Sequence, residues 1–437
     1  MKKTSRILLG IGFFALLLIS WIVAASAKSP AHKQADLITE ADAMLADKIY
    51  VRAMPLLEEA AGYKASHTEE AETLLKRVYL QLIDQSGMKN KYTALLDKQM
   101  NRADARADVF QEAANYYIRL NKLGDALGVL KSGIAKLKDK SLIDLYEAKR
   151  YAYQVNQTSY ENVTMIANDM IQVSEGGLWC LANSDGSLVI PCEYDKVSNY
   201  SNSRAIVKKG NDTYAVDMNN NRIAVLHEAA TDIGNYANDR IGIRTSRGWQ
   251  RATGDLAVGS MAFEDIGMYS DGYAAAKQSG KWGVVDIASK WLIPAEYTDI
   301  IRDELGSCYA QGAVFAVKEG KAHLLVDGKD TGKVYEDARP FTNDGWAAAR
   351  QNGKWGFIDT SGTFKIEPQF DDALSFSGHL AAVKQGEVWG YVALTGKIAI
   401  EPQFMQAKSF SNGNAPVLTD QGYQFISLVE YERGVEL

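Results

Sequence analysis

The chain has little of what marks several common protein classes. Only three of its 437 residues are cysteine, too few for a fold built on a disulfide framework. Five histidines, His32, His67, His227, His323 and His379, stand apart from one another without cysteine or acidic partners at metal-ligand spacing. Neither a metal centre nor a cofactor is expected from them. Positive charge is also short: 48 Lys and Arg against 54 Asp and Glu leave a formal net charge of −6, opposed to the cationic footprint of a nucleic-acid binder. After residue 27 no apolar run is long enough to span a bilayer. What is present is the composition of an ordinary folded chain, 46% hydrophobic and 23% charged. At roughly 150 residues per domain the length allows about three folded units, fewer if one is a repeat array.

The N-terminus speaks to location. Lys2, Lys3 and Arg6 precede an uncharged run from Ile7 to Ala27. At about 1.5 Å per residue such a helix would be roughly 31 Å long, enough to cross a bilayer core. Ala25-Ser26-Ala27 also has the small-x-small form of a signal-peptidase site. Two readings of residues 1–27 stay open: a retained transmembrane anchor over residues 7–27, or a signal peptide cleaved near Ala27. Either places the body outside the cytoplasm, as a membrane-tethered or a secreted protein, because Lys and Arg resist translocation.

Residues 28–157 read as paired helices. Between Ala35 and Tyr153 there is one proline, Pro55, and apolar residues recur at spacings of three and four. Phe110, Ala114, Tyr117, Ala126, Leu130 and Gly133 alternate large and small, with a turn at Gly124-Asp125, and Leu37, Ala41, Met44, Ala53, Leu57 and Ala60 repeat the spacing earlier. Small positions let two antiparallel helices approach while large ones fill the gap. This pattern resembles the tetratricopeptide repeat. The resemblance implies three such units, the middle one degenerate with helices near 69–85 and 89–102, and a capping helix over 141–154. It also implies a groove for a protein or peptide partner, with Asp108, Gln111 and Asn115 facing it in the third unit; the plain alternative is a solvated helix face.

Residues 158–437 read as an all-β repeat array. GYAAAKQSGKWGVVDIASKWLIPAEYTDI from Gly272, GWAAARQNGKWGFIDTSGTFKIEPQFDDA from Gly345 and HLAAVKQGEVWGYVALTGKIAIEPQFMQA from His379 are one module written three times. The tryptophan site returns at Trp179, Thr213, Trp249, Trp282, His323, Trp355, Trp389 and Tyr423, at steps of 34, 36, 33, 41, 32, 34 and 34 residues. Pro191, Pro294, Pro368 and Pro402 follow their tryptophans by 12 or 13 residues, each with an aromatic two or three residues after it. The pairs Trp282-Gly283, Trp355-Gly356 and Trp389-Gly390 give the module its resemblance to the WG-containing, or KWG, repeat. The long step coincides with a loop insertion at Asp303 to Gln311.

Each module supplies three short strands, such as Tyr273 to Lys277, Trp282 to Asp286 and Trp291 to Pro294, and a fourth lies in the region Phe370 to Phe376. Four strands in about 35 residues, repeated seven or eight times, suit a β-propeller. An open β-solenoid of hairpins is the alternative. Tyr160 to Ile166 aligns with Phe370 to Phe376, so the array opens on a last strand that would complete the C-terminal blade and remove exposed edges.

Candidate chemistry is thin. Gly328 to Lys333 lacks the spacing of a phosphate loop and reads as a hairpin turn. Asp286, Asp327 and Asp359, four residues after the tryptophan site, suit turn N–H groups better than acid–base work. Cys180 and Cys192 flank one hairpin and can form a cross-strand disulfide outside the cytoplasm, leaving Cys308 free. Periodic tryptophans belong to the module core, whereas the non-periodic Trp291 and Trp346 are candidates for surface contacts. Net charge is +2 over residues 28–157 and −11 over 158–437, which opposes nucleic acid and anionic lipid. The sequence therefore reads as a non-enzymatic binding or scaffolding protein of the cell envelope or exterior, acting on protein partners. A carbohydrate-binding surface protein using exposed aromatics is the first alternative. An envelope hydrolase whose site sequence order hides is the second.

Overall fold

The structure, a computed structural model, describes residues 29–431; the expected leader at residues 1–27 lies outside them. Two compact units divide between Tyr146 and Glu147. The boundary expected at 157/158 falls inside the second unit, because Tyr153–Val155 is a strand of that unit.

The first unit is a stack of helical hairpins: α1 (Pro30–Ala46) with α2 (Tyr50–Gly62), α3 (Thr68–Gln81) with α4 (Met88–Met100), α5 (Ala107–Arg119) with α6 (Leu123–Leu137), then α7 (Lys140–Lys149), whose last turn passes the division. Ser29 caps α1 through its hydroxyl, and Pro30 takes the first turn, where no N–H is needed. Ala41, Ala53, Leu57 and Ala60 are fully buried between α1 and α2, and Phe110, Ala114, Ala126 and Leu130 between α5 and α6. A Cβ on Gly133 would lie 2.8 Å from both Leu142 Cδ1 and Phe110 Cγ, so glycine is what lets α6 close on its neighbours. The middle hairpin is held differently. Glu72 of α3 is fully buried and meets Gln99 Nε2 at 2.9 Å, Lys98 Nζ at 3.1 Å and Arg102, all from α4 or just beyond it. The capping helix stops at Lys149 rather than at Gln154, which belongs to a strand.

The second unit is an eight-bladed β-propeller of four-stranded antiparallel sheets, not an open solenoid. Blade 4 is typical: Asp265–Ile266, Tyr273–Gln278, Lys281–Asp286 and Trp291–Tyr297 pair in chain order. The expected fourth strand over 370–376 shrinks to Asp372–Ala373, and it opens the next blade instead of ending its own. Blade 8 takes Gln406–Ala407, Asn414–Thr419 and Gly422–Leu428 from the end of the chain and Tyr153–Val155 from before blade 1. Tyr153 stands opposite Leu428, and Tyr160 bridges Tyr423 as Phe370 pairs with Trp355. The chain thereby closes its own ring.

The geometry explains the module's signature. In a WG pair the tryptophan pairs with the aromatic after the proline, and the register then shifts. A Cβ on Gly283, Gly356 or Gly390 would fall 2.3 to 2.6 Å from the carbonyl oxygen of Ile293, Ile366 or Ile400 on the proline strand. Glycine is required where that strand presses in, and proline sits on the strand that gives no further ladder. In blade 5 the residue opposite the aromatic Tyr335 is Ala322, so the tryptophan site lies there, one residue before His323.

Adjacent blades are welded by repeated contacts. The hydroxyls of Tyr160, Tyr194 and Tyr335 donate to Gly186 O at 2.8 Å, Asn220 Oδ1 at 2.6 Å and Gly362 O at 2.8 Å, each in the corresponding turn of the next blade. The first of these crosses the joint between blade 8 and blade 1. Acids after the aromatic reach the next hairpin: Asp195, Glu264, Glu336 and Asp371 accept from the N–H of Gly210, Gly280, Gly353 and Gly386.

Candidate binding surfaces

The helical unit carries a polar hollow of about 880 Å³ formed by α3, α5 and the segments beside them. Its walls include Glu69, Lys76, Lys98, Arg102, Arg106, Asp108 and Glu112. Most of these charges are already engaged: Lys76 with Glu112, Arg106 with Glu69 at 2.6 Å and with Asp108 at 2.8 Å. Beneath them, burial acts against ionised Glu72, but Gln99, Arg102 and Lys98 outweigh it and hold the carboxyl below its usual range. Of the three expected groove residues, Asp108 lines the hollow; half-buried Gln111 and exposed Asn115 do not. Glu72 was missed because its helix, Thr68–Gln81, lacks the small and large signature, and Glu112 because it stands beside the signature positions Phe110 and Ala114 without being one of them. A carboxylate at a core position was the available signal.

Cys180 and Cys192 form a disulfide with Sγ–Sγ 1.99 Å and Cα–Cα 4.3 Å, and Cys308 is a buried free thiol. Cys180 occupies the glycine position of the WG pair and Cys192 follows the proline, so the bridge stands where other modules bring two backbones together. Burial pushes the Cys308 thiol up to about 12, which leaves it protonated.

Trp291 and Trp346 are not exposed platforms. Each is half-buried and meets a phenylalanine edge-on, Phe263 at 6.0 Å and Phe376 at 5.4 Å between ring centroids. Their non-periodic positions fall in the packing between blades, with part of each side chain still exposed. The turn aspartates behave as expected at two positions: Asp286 accepts from Ala288 N and Lys290 N, and Asp359 from Ser361 N and Thr363 N. Partial burial would raise Asp359, but the Ser361 hydroxyl, Lys365 and the Thr363 N–H overcome it and bring the carboxyl to about 2. The segment Gly328 to Lys333 is a turn only at its start; Lys329–Tyr335 is a strand. Among the described residues no group of three or more His, Cys, Asp or Glu is arranged to hold a metal, and no helix is long and apolar enough to cross a membrane.

The propeller has a cavity of its own. The insertion in blade 5 reaches across the ring: Leu305 O accepts from Asn235 Nδ2 of blade 3 at 3.0 Å, Gly306 O from Met268 N of blade 4 at 3.0 Å, and Glu304 pairs with Lys408 of blade 8. Asn235 in turn accepts from Asn199 N of blade 2 and Gln172 Nε2 of blade 1. The insertion thus fills one side of the ring's interior. Beside it remains a cavity of about 410 Å³ walled by Arg302, Asp303 and Glu304, by Arg339 to Thr342, by Asp372, Leu374 and Ser375, by Trp389 and Gln406 to Ser409, and by Met165. Arg302 lies 3.8 Å over the Trp282 ring and bonds Asp299 at 3.1 Å. Burial lifts the Asp303 carboxyl to about 6 despite hydrogen bonds from Ser307 N and Leu305 N.

The sequence pattern of the WG containing repeat matches residues 181–212, 260–282, 333–355, 355–389 and 389–423, so the C-terminal region carries this repeat. No curated protein matches the chain. Among solved structures, Kluyveromyces lactis Hsv2 is 8% identical with TM-score 0.37, the match covering 62% of this chain and 98% of that one. The WD40 domain of SCAP from fission yeast is 8% identical with TM-score 0.36, covering 64% and 98%.

Proposed function

With a WG-repeat propeller as its platform, we propose that the chain is a non-enzymatic binding or scaffolding protein of the cell envelope or exterior, holding protein partners through its helical and β repeats. The observation that carries the partner-binding part is the hollow of about 880 Å³ on the helical unit, whose walls are charged side chains on neighbouring hairpins rather than packed apolar ones. Stacked hairpins offer such a surface at fixed spacing, which suits an extended peptide of mixed charge. The location is supported by the Cys180–Cys192 bridge, since disulfides persist in oxidising compartments, and by the basic residues before the apolar run at Ile7 to Ala27.

Photocrosslinking in living cells from Asp108, which lines the hollow, should give a discrete protein adduct that is absent when the same group is placed at exposed Glu40 on α1. Identical adducts from both sites, or none from Asp108, would contradict the reading. Fractionation with N-terminal mass measurement addresses location. A chain starting at Lys28 in the medium, or an intact one in the membrane pellet, agrees with it; a full-length chain in the cytosol does not.

A further inference from the structure

The cavity beside the insertion has features that a packing defect would lack. Its volume of about 410 Å³ corresponds to roughly fourteen waters at the liquid's ~30 Å³ each, and much of its wall is apolar: Phe341, Leu374, Trp389 and Met165. Apolar walls with a few placed polar groups describe a small-molecule site better than a water pocket.

Arg339 is the polar group with capacity to spare. Its guanidinium presents five N–H donors, and among the described residues it makes one hydrogen bond, a 3.3 Å contact to Asp372 Oδ1. That oxygen already accepts from Ala373 N at 2.8 Å. The guanidinium lies 4.6 Å from the Trp355 ring centroid, so the indole holds its plane while 35% of the side chain remains exposed. Of the other two cations, Lys408 is committed to Glu304, and Arg302 gives Nη2 to Asp299 while its Nη1, without a partner among the described residues, is buried out of reach of the cavity. Asp303, Glu304 and Asp372 put acid into the same wall, which disfavours a doubly charged anion more than a singly charged one.

We propose that this cavity binds a small monocarboxylate with an apolar body: the carboxylate pairs with the free edge of Arg339, and the body lies against Phe341, Leu374 and Trp389. A planar fork facing two carboxylate oxygens is the geometry in which arginine binds most strongly.

Calorimetric titration of the full chain with phenylacetate, phenylacetamide and inorganic phosphate tests this. Saturable binding of phenylacetate is expected, with the isosteric neutral amide at least about tenfold weaker, as loss of a charged hydrogen-bonded pair requires, and phosphate weaker than phenylacetate. Arg339→Gln should remove the preference for the acid over the amide. The amide comparison on the unaltered protein stands even if that variant does not fold. Equal binding of acid and amide, tighter binding of phosphate, absence of saturable phenylacetate binding, or an acid preference that survives in folded Arg339→Gln would each overturn the proposal.

Discussion

Single residues decide how closely the strands of a module can approach. Gly356 faces the carbonyl of Ile366 at a separation that leaves no room for a methyl group, and the proline strand cannot retreat without breaking the Trp355 to Phe370 pair. Gly356→Ala is therefore expected to lower unfolding stability by about 1–3 kcal/mol, the usual cost of overpacking, measured as a shift in the urea midpoint at unchanged slope. Two aspartates should respond to acid in opposite senses. Asp303, lifted from the ordinary 3.8 to about 6, holds its proton more tightly in the folded chain, so its contribution is most favourable below 3.8 and is lost as pH rises through 6. Asp359, lowered to about 2, contributes above 3.8 and loses that contribution as pH falls toward 2. Carboxyl carbon chemical shifts followed by NMR titration should give midpoints on opposite sides of 3.8.

At the scale of elements, closure depends on the segment from Tyr153 to Tyr160. Tyr160 bonds Gly186 across the blade 8 to blade 1 joint as Tyr335 bonds Gly362 between blades 5 and 6. Tyr160→Phe and Tyr335→Phe should then cost about the same, on the order of 1 kcal/mol each by thermal melting, because each leaves a buried carbonyl without its donor. A much smaller cost for Tyr160→Phe would mean that the joint is looser than the other blade contacts. Much of this was legible in the sequence. The WG pairs and their prolines mark the two longest strand pairings of a blade, and the match of Tyr160 to Phe370 pointed to closure. The fourth strand was overestimated because two residues suffice where the next strand does the packing, as at Asp372–Ala373. The closing strand at Tyr153–Val155 was hidden inside helical territory, since three residues after a helix end carry no period of their own. The middle helical hairpin was legible as two helices near 69–85 and 89–102 but not in its repeat signature, because a buried carboxylate, Glu72, stands among the apolar positions of its core.

At the scale of the molecule, two repeat arrays solve one problem differently. Helical hairpins stack openly and need an end cap, whereas the sheets bend round until first meets last, so no blade keeps an unprotected face. Eight blades leave interior space, and the insertion at Asp303 to Gln311 takes up part of it, tying blades 3, 4 and 8 to blade 5. The spacing of the tryptophan sites located this insertion, but its destination inside the ring depends on Asn235 and Lys408, which are distant in sequence. A rigid closed platform with a partly filled interior is what both the scaffolding role and the carboxylate site presuppose. Hydrogen–deuterium exchange on the full chain tests that platform most directly. The amides of Asn156 and Tyr160, which donate to Phe425 O and Tyr423 O, are predicted to exchange as slowly as the paired amides of Gly422–Leu428; exchange of these two at the rate of an unstructured linker would contradict the closed ring.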